Sequence, residues 1–166
     1  MVIIIMGVSG CGKTTVGRAL AQQLGVPFFD ADDYHPAANV AKMGRGEPLT
    51  DADREPWLAR LHGMIGEWVG EEMEEITAVF ACSALKKTYR DQLRGSLDGV
   101  VFVYLAGDFD LIWLRLAARQ GHFMKANMLQ SQFDTLEPPT AVEALTIPIT
   151  LSPAEIINQI LHQAFA

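Results

Sequence analysis

Gly7-Val8-Ser9-Gly10-Cys11-Gly12-Lys13-Thr14 follows directly on the apolar run Val2-Ile3-Ile4-Ile5-Met6 and leads into Val16, Leu20 and Leu24, which recur at helical spacing. A continuously apolar, β-branched run reads as a strand buried on both faces. Gly25 and Pro27 close the helix. The loop between strand and helix satisfies G-x-x-x-x-G-K-[ST] in the context that pattern requires. Glycine lets the backbone wrap tightly, so that successive N–H groups converge on phosphate oxygens, and the following helix adds the positive end of its dipole. Lys13 then reaches the β- and γ-phosphates of ATP, and the Thr14 hydroxyl is placed to ligate Mg²⁺. Gly7, Ser9, Gly10, Cys11, Gly12, Lys13, Thr14 and Thr15 are the expected nucleotide contacts. At average residue frequencies the bare pattern arises by chance in roughly one chain of this length in two hundred.

Working outward, short apolar runs alternate with helical segments, which predicts a parallel sheet wrapped by helices. Strands are expected at Pro27–Asp30, Thr77–Cys82, Val100–Leu105 and, more weakly, Ala144–Leu151, where Pro148 suits a sheet edge. A long helix is expected from Asp51 to Glu72, with Thr50 and Asp53 as a capping pair and Trp57, Leu61, Ile65 and Trp68 on one stripe. Lys87–Arg94 and Phe109–Ala118 read as helices, and Ser152-Pro153-Ala154-Glu155 starts a last one that runs to about Ala164. The expected fold is a three-layer α/β domain over residues 1–166 with a parallel sheet of about five strands.

Composition narrows the function classes. The 166 residues are 49% apolar and 20% charged, an ordinary globular balance. With 13 basic and 20 acidic side chains the formal net charge is −7, which disfavours nucleic-acid binding and leaves any anionic substrate to a few local cations. No apolar run approaches the roughly 20 residues needed to cross a bilayer, and Val2–Met6 does not read as a signal-peptide core. A soluble, cytoplasmic protein is expected. Cys11 and Cys82 do not form a disulfide framework and read as reduced thiols.

A phosphate loop alone does not separate a kinase from a hydrolytic switch. The second expected strand ends in Phe29-Asp30-Ala31-Asp32-Asp33-Tyr34-His35, and in a doubly wound sheet that end lies beside the phosphate loop. Carboxylates there can hold Mg²⁺ through water or take a proton from an attacking hydroxyl; a solvated acidic turn is the simpler alternative. No Asn-Lys-x-Asp base-reading motif of small GTPases occurs.

Several further stretches make the chain recognisable. They are Asp30–Met43 with its His35-Pro36, then Pro48-Leu49-Thr50-Asp51-x-Asp53-Arg54-x-Pro56-Trp57-Leu58, and Ala81-Cys82-Ser83-Ala84-Leu85-Lys86-Lys87. Arg119-x-Gly121-His122-Phe123 and Ser131-Gln132-Phe133-x-Thr135-Leu136-Glu137 follow in order. Together with the phosphate loop they resemble the gluconate kinases (gluconokinases), in the shikimate-kinase and adenylate-kinase-like branch of P-loop kinases. The resemblance implies transfer of the ATP γ-phosphoryl group to the 6-hydroxyl of D-gluconate in gluconate catabolism, a homodimer, and a small mobile lid over about residues 119–137.

On that reading Lys13, Asp32 and Arg119 are the catalytic candidates, with Asp32 as general base or hydroxyl orienter and Asp30, with Thr14, supporting Mg²⁺. Arg54 and Lys86 are candidate cations for the acceptor carboxylate, and Ser83, His35, His122 and Gln132 candidate polar contacts. His35 is equally readable as a turn residue, and Gln132 as a cap of the lid helix. Arg115, Arg119, His122 and Lys125 cluster at the expected lid, where Gln120 replaces a second basic residue common in relatives. By analogy with the branch, Arg119 stacks on adenine opposite Ser152-Pro153, while Trp57 and Trp68 read as core. Two rivals stay open. One is a kinase for another sugar acid or a shikimate-like acceptor, against which Cys82-Ser83-Ala84 stands where shikimate kinases carry Gly-Gly-Gly. The other is a non-catalytic nucleotide-binding regulator.

Overall fold

The computed structural model describes residues 1–70, 75–118 and 126–165. Five strands form one parallel sheet: β1 (Val2–Met6), β2 (Phe28–Asp30), β3 (Ala78–Ala81), β4 (Val100–Ala106) and β5 (Ala144–Pro148), in the order β2-β3-β1-β4-β5. Every pairing is parallel. The helices among the described residues are α1 (Lys13–Leu24), α2 (Ala37–Gly44), α3 (Asp51–Trp68), α4 (Lys87–Arg94), α5 (Phe109–Ala117), α6 (Ala126–Thr135) and α7 (Pro153–Ala164). The expected three-layer α/β architecture is the observed one.

Strand geometry sends successive side chains to opposite faces, and β1 shows the consequence. Ile3 and Ile5 enter one core with Val16 and Leu20 of α1, Ile112 of α5 and Ile156 and Ile160 of α7. Val2, Ile4 and Met6 enter the other, with Trp57, Leu58, Leu61 and Ile65 of α3 and Tyr89 and Leu93 of α4. All five β1 residues are fully buried, each contributing about 1.5–3 kcal/mol of hydrophobic stabilisation. That two-sided burial is why the run lacks any polar alternation.

Boundaries differ from expectation in ways the chemistry explains. The α3 helix stops at Trp68, where Val69 turns extended, about one turn short of the expected end at Glu72. Trp68 is 37% exposed rather than core: its ring tilts over Phe29 of the edge strand β2 at 5.7 Å between centroids. The β5 strand closes at Pro148, and it is an edge strand, as that proline requires. The Thr50–Asp53 and Ser152–Glu155 capping boxes both form. Helix α2 has no counterpart in the sequence reading.

The connections place the site. After β1 the chain builds β2 and β3 on one side of it, and after α4 it crosses to the other side for β4 and β5. The crevice therefore opens at the carboxyl ends of β1 and β3, where such sheets bind ligands. There the Gly7 N–H donates to the Ser83 carbonyl at 3.2 Å.

Candidate active site

The phosphate loop owes its shape to its glycines. Gly7 and Gly10 have φ of 141° and 84°. A Cβ on Gly10 would lie 2.7 Å from Leu116 Cγ, and one on Gly7 would lie 3.1 Å from the Leu105 carbonyl oxygen. A side chain at either position is excluded both by conformation and by space. Lys13 Nζ arches back to the carbonyls of Gly7 and Val8 at 2.9 and 3.0 Å, which holds the ammonium over the loop. Helix α1 begins at Gly12 with no side-chain cap and no acidic residue in its first turn, leaving its N–H groups directed into the loop. Cys11 is buried with its sulfur against the loop, and both cysteines are free thiols.

On one side of the loop lies a cavity of about 370 Å³ lined by Gly10, Cys11, Gly12, Thr15, Val16, Arg115, Ala118, Leu151, Pro153 and Ile156. Its walls are largely aliphatic, suited to the flat face of a base, and Arg115 is steered there by donating to the Ile149 carbonyl. This brings Arg115 and Pro153 together with Thr15 around one cavity. Arg119, Gln120, Gly121, His122 and Lys125, with much of the expected lid, lie outside the described residues.

On the other side lies the acidic turn. Asp30 accepts from the Thr14 hydroxyl at 3.1 Å through Oδ2 and from the Asp32 N–H at 3.2 Å through Oδ1. One carboxylate thus ties the start of α1 to the 3-10 turn of residues Ala31–Tyr34. Asp32 Oδ1 stands 4.0 Å from His35 Nε2. Crowding by surrounding protein, then the charge of Asp30, raise the Asp32 carboxyl above its ordinary pKa, against Lys13 and His35, which lower it. The Asp32 side chain is nonetheless 81% exposed, so water reaches it and the group stays titratable from the cleft.

Burial lowers the His35 pKa first, Asp32 opposes, and the charge of Arg54 lowers it further. Its ring stacks on Trp57, whose Nε1–H donates to the Ala31 carbonyl at 2.8 Å. Buried Asn39 of α2 approaches His35 Nδ1 at 3.5 Å and donates to the Asp53 carbonyl at 2.8 Å. Trp57 and Asn39 thus support the acidic turn from behind, roles the sequence reading missed. The signal was there for Trp57, since a buried indole N–H requires an acceptor.

The cations form a connected group. Arg54 donates to the Leu49 carbonyl and lies over the Tyr89 ring at 5.5 Å. Lys86 lies at 5.4 Å from the same ring and pairs with Asp51 at 2.9 Å, and the Tyr89 hydroxyl donates to Asp51 as well. Half-buried Ser83 sits at the end of β3, beside Ala84, whose φ of 43° is a left-handed conformation costing about 1–2 kcal/mol for a residue with a Cβ. That bend is clamped by buried Arg90, which donates to the carbonyls of Ala84, Leu85 and Glu137 at 3.2, 3.2 and 3.0 Å. Gln132 lies elsewhere, on the phosphate loop: its Oε1 accepts from the Ser9 N–H at 2.6 Å and its Nε2 donates to Ser9 Oγ at 3.0 Å.

The likenesses agree with this geometry. The shikimate kinase family model matches residues 9–164. A probable gluconokinase of Mus musculus is 49% identical over 159 residues, covering 86% of this chain and 85% of that protein. The thermoresistant gluconokinase of Escherichia coli K12 is 46% identical over 142 residues, covering 86% and 79%. The crystal structure of a gluconokinase from Sinorhizobium meliloti 1021 superposes with a TM-score of 0.84 at 41% identity, covering 98% of this chain and 90% of that one. A strand-loop-helix phosphate cradle facing an acidic turn, in a chain this close to those proteins, belongs to the shikimate kinase family of P-loop kinases and, within it, to the gluconokinases.

Proposed function

We propose that the protein is a gluconokinase that transfers the γ-phosphoryl group of ATP to the 6-hydroxyl of D-gluconate, giving 6-phospho-D-gluconate and ADP. The observation that carries the reading is the Thr14–Asp30–Asp32 chain of contacts, which sets a titratable carboxylate beside the phosphate loop and opposite the base cavity. A hydroxyl acceptor belongs where such a carboxylate meets the phosphate cradle.

Residue roles follow from position. The loop N–H groups of Gly10 to Thr15 and the Lys13 ammonium bind the polyphosphate, and Lys13 follows charge as it develops on the transferring group. Asp32 orients the acceptor hydroxyl and takes its proton, with the His35 ring 4.0 Å from its carboxylate. Arg54 and Lys86, both lying against Tyr89, take the acceptor carboxylate, and Ser83 takes a hydroxyl. The Thr14 hydroxyl and the Asp30 carboxylate are hard oxygen donors of the kind Mg²⁺ accepts beside substrate phosphates. When bound there, the ion would neutralise charge between the β- and γ-phosphates. Arg115 and Pro153 border the base. The same reading includes a cytoplasmic homodimer; among the described residues no helix is long and apolar enough to cross a membrane.

The test is product identification. Phosphorus and carbon NMR of a reaction with Mg-ATP and D-gluconate should show a phosphomonoester on C6 and stoichiometric ADP. ATP consumption with a different acceptor but not with gluconate would overturn the substrate assignment.

A further inference from the structure

Helix α6 is bonded at one end of its last turns to the donor loop and at the other to the acceptor loop. Gln132 uses both atoms of its amide on Ser9 of the phosphate loop. One turn on, Leu136 N–H closes onto the Gln132 carbonyl at 2.9 Å, and Glu137 N–H donates to the Leu85 carbonyl at 2.9 Å. The Glu137 carboxylate accepts from the Lys87 N–H at 2.7 Å, and its carbonyl accepts from Arg90. Glu137 therefore grips the segment carrying Ser83 and Lys86 through two bonds, and Arg90 of α4 through a third.

These contacts answer a local need. Helix α4 starts with two lysines, Lys86 and Lys87, has no acidic residue in its first turn and has no side-chain cap of its own. Cations are unfavourable at that end of a helix dipole. Glu137 brings in the missing carboxylate from a distant part of the chain. The link is also packed against the core, although residues 126–137 fall within the expected lid. Leu129 is fully buried, Phe133 packs on Phe109 at 5.7 Å, and Leu136 contacts both hydrophobic cores.

We infer that α6 is a strut setting the distance between the phosphate loop and the acceptor loop, with Gln132 and Glu137 as its positioning residues. This rests on the kinase reading above. Phosphoryl transfer needs the acceptor oxygen in line and near contact, and a misplacement of about 1 Å costs on the order of a hundredfold in rate. Loosening either end lets the two loops drift apart without removing a group that touches substrate.

Three variants test it: Glu137→Ala, Glu137→Gln and Gln132→Ala, each assayed for kcat, KM and the ratio of ADP formed to gluconate phosphorylated. Glu137→Ala and Gln132→Ala should lose about 10- to 100-fold in kcat with KM changed less than about 3-fold. Their ADP-to-product ratio should rise above one, because water competes with a misplaced hydroxyl. Glu137→Gln keeps an oxygen for the Lys87 N–H and should stay within about 3-fold of the parent. Unchanged kcat and ratio in both alanine variants would overturn the inference, as would a Glu137→Gln defect equal to that of Glu137→Ala. Hydrogen exchange tests the strut without any acceptor. A non-hydrolysable ATP analogue should slow the amides of residues 85–87 by at least about 3-fold in the parent but not in Gln132→Ala. Equal slowing in both proteins would sink the strut even if gluconate proved to be the wrong acceptor, whereas silence with gluconate alone would condemn only the substrate assignment.

Discussion

The imidazole of His35 lies flat on the indole of Trp57, with centroids 4.2 Å apart and planes 16° from parallel. The same indole bonds the Ala31 carbonyl, so one buried side chain of α3 fixes the acidic turn at both its ends. Trp57→Phe keeps a ring for the stack but removes the only indole donor to that carbonyl. Losing that bond costs about 0.5–1.5 kcal/mol and the smaller ring loses packing beside it, so urea denaturation of Trp57→Phe should show a loss of at least about 1 kcal/mol. Trp68→Phe, at the half-open end of the same helix, should cost less than about 1 kcal/mol. Equal losses would mean the Ala31 bond carries no weight.

Asp32 is raised above its ordinary pKa, first by crowding and then by Asp30. If Asp32 is the base, the acidic limb of kcat/KM must lie above the ordinary carboxylate value of about 3.9. Asp32→Asn should abolish that limb and lower kcat by about 10²–10⁴-fold while nucleotide affinity holds. The sign for stability is the reverse. A folded-state pKa above the unfolded one means that ionisation opposes folding above the folded pKa and has no effect below the unfolded pKa. Asp32→Asn should therefore melt about 1–2 °C higher at neutral pH, a small gain because the group faces water, and match the parent below about pH 3.9.

Asp53 shows the opposite shift. Its pKa is held down to about 2, first by the hydrogen bond from Lys42 and then by Thr50. Its stabilising contribution is complete above the unfolded value of about 3.9 and is lost as pH falls through about 2. Lys42→Met should lower the melting temperature at pH 7, raise the midpoint of acid unfolding, and converge with the parent near pH 2. A constant difference across the whole pH range would show that Lys42 acts by packing instead.

Arg90 is 3% exposed and holds three carbonyls around the Ala84 bend, with Glu143 at 3.4 Å as its counter-ion. Arg90→Met fills similar space but leaves the Ala84 and Glu137 carbonyls without this donor, while Leu85 keeps the Glu137 N–H and Glu143 keeps Thr140. A loss of about 2–4 kcal/mol is expected in chemical denaturation, from two buried carbonyls deprived of this donor. A loss below about 1 kcal/mol would show that the loop does not depend on the guanidinium.

Much of this was legible because the signals were local. An unbroken apolar run gave β1, capping boxes gave the starts of α3 and α7, and the glycine spacing gave the phosphate loop. Contacts between distant segments were not legible. Nothing near Gln132 in the chain points to Ser9, and nothing near Lys87 points to Glu137. The lysines at the start of α4 were the one trace, a local charge conflict that needed a distant partner to relieve it. Helix α2 escaped because its eight residues bury Asn39 rather than an apolar stripe, so the periodicity had little to show. Trp68 was misread because helical spacing alone does not say where the sheet ends.

The central claim is that this site phosphorylates gluconate. The most direct measurement is kcat/KM with Mg-ATP for gluconate, shikimate, glucose and glucuronate, beside a control without acceptor, for the parent and for Lys13→Ala. The account predicts turnover with gluconate at least about a hundredfold above the other acceptors, lost in Lys13→Ala. Comparable or greater turnover with another acceptor, or ADP release that gluconate does not increase, would contradict it.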